Sequence, residues 1–250
     1  MKKSIYALIM ARGGSKSIPY KNIVDLHGYP LLAWSIAACK LSKKIDKIIL
    51  STNDKKIAKL GEKYGAEVPF LRPEKYATDS STDFDAINHC HEWFKFNKNI
   101  NIDYIVQIRP TTPYRDPRLI DQAIKIISNN KSLTGLRSVY EMSETAWKTF
   151  HIERNGTLNP LTNFYFKSNN KELANLPRQK LPKTYFGQGY VDIIDTKNLK
   201  NNTLYGNKCF GFLSPDVGEI DNYNDLVKLR GNIIYKKLKI FRYLQKHVKN

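Results

Sequence analysis

Cysteine is scarce in this chain. Its three residues, Cys39, Cys90 and Cys209, are far apart and odd in number. That argues against a disulfide framework and for a reducing compartment, so a cytoplasmic location is expected. Long hydrophobic runs are missing too. The first apolar stretch, behind Lys2 and Lys3, ends at Ala11 in a charged loop, and neither a signal peptide nor an integral membrane segment is expected. No Ser-, Gly- or Pro-rich linker divides the 250 residues, so 1–250 reads as one domain of a size that buries a full core. Acidic residues are outnumbered: 23 Asp and Glu stand against 41 Lys and Arg, a formal net charge of +18.

Such an excess suits nucleic acid, anionic lipid or polyanionic substrates. The lysines of 43–63, 95–98 and 167–208 are dispersed, with no aromatic stacking platform and no recognisable nucleic-acid module, so nucleic acid is not expected as a partner. A basic binding protein for nucleic acid or anionic membrane stays as the non-enzyme alternative. The densest basic segment, 228–249, sets Ile233, Ile234, Leu238, Ile240, Phe241 and Leu244 among many cations. As an amphipathic helix over 222–247 it could make peripheral contact with a membrane surface, although packing on the core is the plainer expectation. Other chemistries lack their parts. No G-x-S-x-G elbow is present. The histidines of His89-Cys90-His91 would point about 200° apart on a helix, and no second Cys/His pair completes a tetrahedral site.

What is present is concentrated near the start. Ile5–Met10 reads as a buried strand, and the run Ala11-Arg12-Gly13-Gly14-Ser15-Lys16 through Ile18, Pro19, Lys21 and Asn22 leaves its carboxyl end, where open α/β sheets bind ligands. Gly13 and Gly14 let backbone amides approach oxygens, Ser15 adds a hydroxyl, and Arg12, Lys16 and Lys21 supply charge, a combination suited to a triphosphate. The loop is neither G-x-x-x-x-G-K-[ST] nor G-x-G-x-x-G. Because the next helical segment begins near Pro30, the loop should wrap the phosphates without an immediate helix N-terminus. By composition alone a plain surface turn is equally consistent.

Further strands are expected at Lys47–Thr52, Ala66–Leu71, Ile102–Ile108, Leu133–Tyr140, Gly189–Ile194 and Lys208–Leu213. Helices are expected at Pro30–Leu41, at Asp54–Tyr64, at Thr82–Phe96 after polar capping residues, and from Asp116-Pro117 to about Asn129. This alternation predicts an α/β fold: a mostly parallel, Rossmann-like sheet with helices on both faces. Residues 143–187 break the rhythm, with a hairpin signal at Asn155-Gly156 and a proline-studded stretch over Leu176–Pro182. Near the end, Glu219 and Asp221 would face the same way if extended. They could hold the Mg²⁺ that a triphosphate under attack requires, or serve as partners of a helix dipole.

Taken in order, several of these segments resemble one family. ARGGSK-x-I-P-x-KNI, with Ser17 and Tyr20 in the variable places, is similar to the first signature of the CMP-sialic acid synthetases, the acylneuraminate cytidylyltransferases. Pro30 to Ser35, Ser51-Thr52-Asn53-Asp54, Tyr64 to Val68, Arg72-Pro73-Glu74 and Asp79-Ser80-Ser81-Thr82 resemble later blocks, and the similarity covers most of residues 4–230. The resemblance implies a nucleotidyltransferase-type fold and a Mg²⁺-dependent enzyme. In that enzyme the anomeric hydroxyl of a sialic-acid-like sugar attacks the α-phosphorus of CTP, giving a CMP-sugar for surface glycan synthesis and pyrophosphate. Transfer to another acidic ketose, such as a 3-deoxy-octulosonate, is the alternative. It further implies catalytic roles for Arg12, Lys21 and Asp221, and nucleotide contacts from Ala11, Arg12, Gly13, Gly14, Ser15, Lys16, Lys21, Asn22, Arg72, Ser80 and Ser81. Asp221 and Glu219 stand at the family's D-I-D metal motif, with Glu219 replacing the first aspartate. Arg109 and Thr111 lie in Arg-Pro-Thr-Thr-Pro, where the family has Q-P-T-S-P, so Arg109 replaces a sugar-contacting glutamine. Arg109 would then bind the sugar's carboxylate or meet an internal acid. Arg178, Tyr185 and Gln188 complete the implied sugar site, Gln188 in place of an asparagine. The segment 143–187 corresponds to an excursion that dimerises the family, and a homodimer is implied.

Overall fold

The computed structural model describes residues 3–167 and 171–248. The chain runs through β1 (Ile5–Met10), β2 (Asp25–Leu26), β3 (Tyr29–Pro30), α1 (Leu31–Leu41), β4 (Lys47–Ser51), α2 (Lys55–Tyr64), α3 (Asp83–Lys98), β5 (Tyr104–Gln107) and α4 (Pro117–Asn129). It continues through β6 (Gly135–Glu141), β7 (Phe150–Ile152), β8 (Leu158–Pro160), α5 (Leu161–Phe166), β9 (Tyr185–Asp195), β10 (Cys209–Leu213), α6 (Tyr223–Gly231) and α7 (Lys239–His247). It forms two compact units, one comprising residues up to Ser138 and from Gln188 onward, the other Val139–Gly187.

In the larger unit the six-stranded sheet has the order β10-β6-β9-β5-β1-β4. β1 is parallel to β4, with Ala7 opposite Ile48, and to β5, with Ala7 opposite Val106. Its side chains alternate between two cores, as the two-residue period of a strand requires. Ile5, Ala7 and Ile9 join Trp34 and Ile36 of α1, Ile120, Ile124 and Ile127 of α4, and Ile240 and Leu244 of α7. Tyr6 and Leu8 join Ile87, Cys90 and Phe94 of α3. Layers on both faces explain why β1 carries no polar residue. Helix starts follow local chemistry: Thr82 and Asp85 form a capping box for α3, and Asp116 caps α4 ahead of Pro117.

Three details depart from expectation. The stretch 66–71 makes one isolated bridge, Ile49 with Glu67, because Pro69 has no N–H to extend a ladder. β9 runs antiparallel to β5, pairing Val106 with Ile193. The segment expected as one helix over 222–247 is α6, a tight 3-10 turn at Ile233–Lys237 and α7. It breaks where Gly231 is followed by Asn232, whose side chain accepts Ile234 N–H at 2.9 Å. Ile240 and Leu244 of α7 are buried, whereas Ile233 and Ile234 are exposed.

Within the smaller unit, β7 and β8 form the antiparallel hairpin, with Ile152 opposite Leu158. Gly156 takes φ 86° in its turn, a conformation that favours glycine. Phe150, Ile152, Leu158, Tyr165 and Phe186 of this unit are exposed.

Candidate functional site

The loop after β1 is pinned before it is shaped. Ala11 N–H donates to Ser51 O at 3.0 Å and Gly13 N–H to Asn53 Oδ1 at 3.1 Å. A Cβ on Gly13 would lie 3.1 Å from the Asp54 side chain, a tight contact that would push that side chain aside. Gly14 meets no such neighbour. Asn22 is buried and donates to Arg12 O at 3.1 Å, tying the two ends of the loop together. α1 starts only at Leu31, so no helix N-terminus follows the loop directly.

Above the carboxyl ends of β1 and β5 opens a cavity of about 450 Å³. Arg12, Ser15, Lys16, Lys21 and Asn22 line it from the loop, Arg72 and Ser81 from the stretch before α3, and Arg109 and Thr111 from the end of β5. Five cations, Arg12, Lys16, Lys21, Arg72 and Arg109, face two carboxylates, Asp79 and Asp83. The cavity is therefore positive, and Arg12 and Lys16 are already engaged. Arg12 donates to Thr78 O at 2.6 Å and reaches Asp79 at 2.9 Å, while Lys16 meets the same carboxylate at 2.5 Å. The Lys16 ammonium, with Arg12 beside it, holds the Asp79 carboxyl below its ordinary range. Arg72 is buried, its Nη2 donates to Ser51 O at 3.3 Å, and its Nε has no partner among the described residues. Burial, and then the charge of Arg12, lower its guanidinium to about 10. It stays charged at neutral pH with a donor to spare.

The remaining sequence candidates lie as follows. Ser80 and Ser81 hydrogen-bond Thr78 at 3.1 and 2.8 Å. Arg109 pairs with an internal acid, Asp83, at 2.6 Å and stands 3.8 Å from Asp192. Burial opposes its charge, but Asp83 and Asp192 outweigh burial and raise its pKa. Glu219 Oε1 accepts Thr112 Oγ1 at 2.8 Å and the N–H of Gly189. Asp221 is exposed, 3.4 Å from Lys21 Nζ. Between them Ile220 is buried, its N–H held by Thr111 O at 2.8 Å, so the acid segment is strapped to the end of β5. Gln188 is buried and donates to Ser214 Oγ at 2.6 Å and Pro215 O at 2.7 Å. In the smaller unit Arg178 donates to Ser143 O at 2.7 Å and Met142 O at 2.9 Å, and Tyr185 is exposed. Among the described residues no three His, Cys, Asp or Glu side chains converge as a metal cage.

Sequence reasoning assigned no role to Gln107, Asp83, Asp192 or Arg115. Arg115, fully buried under the site, donates to Tyr190 O at 2.6 Å, Ser35 Oγ at 3.1 Å, Arg109 O at 2.6 Å and Gly189 O at 2.5 Å. It fixes the ends of β5 and β9 against α1. No local motif announces a residue whose partners are mostly backbone or hydroxyl oxygens far along the chain.

A family model described as cytidylyltransferase matches residues 6–183, which include all the cavity-lining residues named above. The chain belongs to the cytidylyltransferase family. It is 31% identical over 167 residues to a pseudaminic acid cytidylyltransferase of Campylobacter jejuni, 67% of this chain and 71% of that one. It is 41% identical over 124 residues to a CMP-N,N'-diacetyllegionaminic acid synthase of Legionella pneumophila, 49% of this chain and 52% of the other. An N-acylneuraminate cytidylyltransferase of Oncorhynchus mykiss is 34% identical over 157 residues, 63% of this chain and 34% of its own. The aligned part thus spans about half of the second relative and a third of the third. These similarities agree with the resemblance to the CMP-sialic acid synthetases. In fold, this cytidylyltransferase is similar to a CMP:2-keto-3-deoxy-manno-octonic acid synthetase complexed with CTP. The TM-score is 0.69 at 14% identity, over 94% of this chain and 100% of that one. The mixed sheet is therefore that of nucleotidyltransferase-type enzymes. Glu219 and Asp221 lie beyond the stretch the family model matches.

Proposed function

We propose that this cytidylyltransferase transfers CMP from CTP to the anomeric hydroxyl of a sialic-acid-like nonulosonic acid, releasing pyrophosphate. The observation that carries the reading is the cavity itself, where Arg12, Lys16 and Lys21 converge on a glycine-shaped loop at the sheet edge. The names of the relatives supply the sugar class. Lys21 and Arg12 neutralise phosphate charge, and loop amides add donors. Catalysis here is mainly positioning and charge neutralisation. Incubating the protein with CTP and a panel of nonulosonic and octulosonic acids, with pyrophosphate release as the readout, tests it. Turnover with a nonulosonic acid is expected. Turnover confined to octulosonic acids would move the substrate class, and release with none would overturn the reading.

Asp221 suits a hard cation: its carboxylate is exposed beside cavity-lining Lys21, and Mg²⁺ needs only one or two carboxylates besides phosphate oxygens. Glu219 suits it less, since its Oε1 already serves Thr112 and Gly189. A Mg²⁺ ion bound at Asp221 would neutralise charge on the triphosphate. Asp221→Asn is expected to cut activity at least about tenfold at low Mg²⁺, part of which returns at higher metal, because losing a charged contact costs roughly 1.5–3 kcal/mol. A metal titration of rate checks this; an unchanged curve would make Asp221 structural. The exposed apolar side chains of the smaller unit support a homodimer, and the three free cysteines support a cytoplasmic site of action.

A further inference from the structure

Arg109 is already engaged inside the protein. Its Nη2 lies between two acids, 2.6 Å from Asp83 Oδ2 and 3.8 Å from Asp192 Oδ2. Asp192 is a fixed, buried member of this group, accepting Ser138 N–H and Tyr205 O–H at 3.1 Å each. Gln107, also buried, donates its Nε2 to Asp83 Oδ2 at 3.0 Å. That bond to a carboxylate settles which way the amide points. Arg109 thus lies between a cavity-lining carboxylate, Asp83, and a buried one, Asp192, whose charged form burial disfavours.

The arrangement leaves two acceptors free of protein donors, one partly exposed and one buried. Both donors on Asp83 converge on Oδ2, and Oδ1 has no hydrogen-bond partner among the described residues. Asp83 lines the cavity with its side chain 36% exposed. Gln107 lines the same cavity at 1% exposed, and its Oε1 is buried without a partner. A buried acceptor left unpaired costs stability unless a ligand or water supplies a donor. One partly exposed carboxylate oxygen, Asp83 Oδ1, and one buried unpartnered acceptor, Gln107 Oε1, share this wall, which suits hydroxyl or amide N–H donors and is mismatched to a carboxylate.

We propose that Asp83, with Gln107 Oε1, is a specificity-determining acceptor that binds hydroxyl or amide N–H donors of the ligand, and that Arg109 is the positioning residue that holds it. The donor comes from the acid sugar or from the ribose of CTP; the sugar case rests on the function proposed above. Sites built around a specific hydrogen bond reject ligands that cannot make it far more strongly than apolar pockets reject an extra methylene.

Asp83→Asn keeps the Oδ contact to Arg109 and turns an amide NH₂ toward the cavity, exchanging an acceptor for a donor. Its KM for one ligand is expected to rise about tenfold or more while the thermal midpoint stays within a few degrees. A rise in sugar KM alone assigns the donor to the sugar. A rise in CTP KM, with loss of discrimination between CTP and dCTP, assigns it to the ribose. Asp83→Ser, tolerated at a helix start, guards against a folding defect and should show the same pattern. Unchanged KM for both ligands in both variants, with only the midpoint lowered, would reduce the group to an internal salt bridge and overturn the proposal. The test is separable from the parent reading. Failure of the unaltered protein to turn over any acid sugar sinks that reading, whereas CTP and dCTP binding measured calorimetrically still probes Asp83 at the ribose.

Discussion

Lys21→Ala lowers turnover with CTP by at least about tenfold, and Arg12→Ala does the same, because each removes a charge-assisted contact worth roughly 1.5–3 kcal/mol. Both side chains line the cavity, yet they start from different states. Among the described residues Lys21 is tethered at 3.4 Å to the exposed Asp221. Arg12 is held by Asp79 and Thr78 O and must exchange those contacts for phosphate oxygens. The larger net loss is therefore expected at Lys21, while Arg12→Ala should also loosen the stretch around Asp79. Neither change empties a core position, so thermal midpoints should move little. Steady-state kinetics with CTP as the varied substrate check the prediction, and wild-type rates in both variants would remove the loop from the chemistry.

Arg115→Met should destabilise the fold by at least about 3 kcal/mol, since it removes the guanidinium's hydrogen bonds to three buried oxygens and to the part-buried Arg109 O, and each uncompensated group costs roughly 1–3 kcal/mol. For a chain of this size that corresponds to a fall of about 6–12 °C in thermal midpoint. Met is chosen for its similar length, so the loss is of hydrogen bonds more than of volume. Burial lowers the guanidinium to about 10, which leaves it charged at neutral pH. The oxygens of Arg109 and Gly189 are among those released, so surviving protein should also bind its ligands poorly. A calorimetric or fluorescence melt decides the matter. A shift under 2 °C would show that relaxation or water replaces the guanidinium, contrary to this account.

The fold was largely legible because its signals are local. A polar-free β1, the Thr82 capping box, Asp116-Pro117 and Asn155-Gly156 each state their structure within a few residues. The direction of β9 was not legible, since a strand's hydrophobic pattern reads alike in both senses. Nor did the basic periodicity of 228–249 disclose the break at Gly231-Asn232, because charge patterning masks a single cap. In the site, a short run of glycines and cations marked the loop. The Asp83–Arg109–Asp192 group was invisible because its members come from three separate elements and acquire meaning only through distance. Arg109 stood out as an unusual residue in its place, and the structure supplied the internal acid that sequence had left as one of two alternatives.

The central claim is that an acid sugar's anomeric oxygen displaces pyrophosphate at the α-phosphorus of CTP. The most direct measurement is ³¹P NMR of the reaction with sugar whose anomeric oxygen carries ¹⁸O. The account predicts a new phosphodiester resonance that grows with free pyrophosphate and shows the isotope shift of a retained ¹⁸O bridge. CMP with two equivalents of inorganic phosphate, or a phosphodiester without the shift, would contradict it.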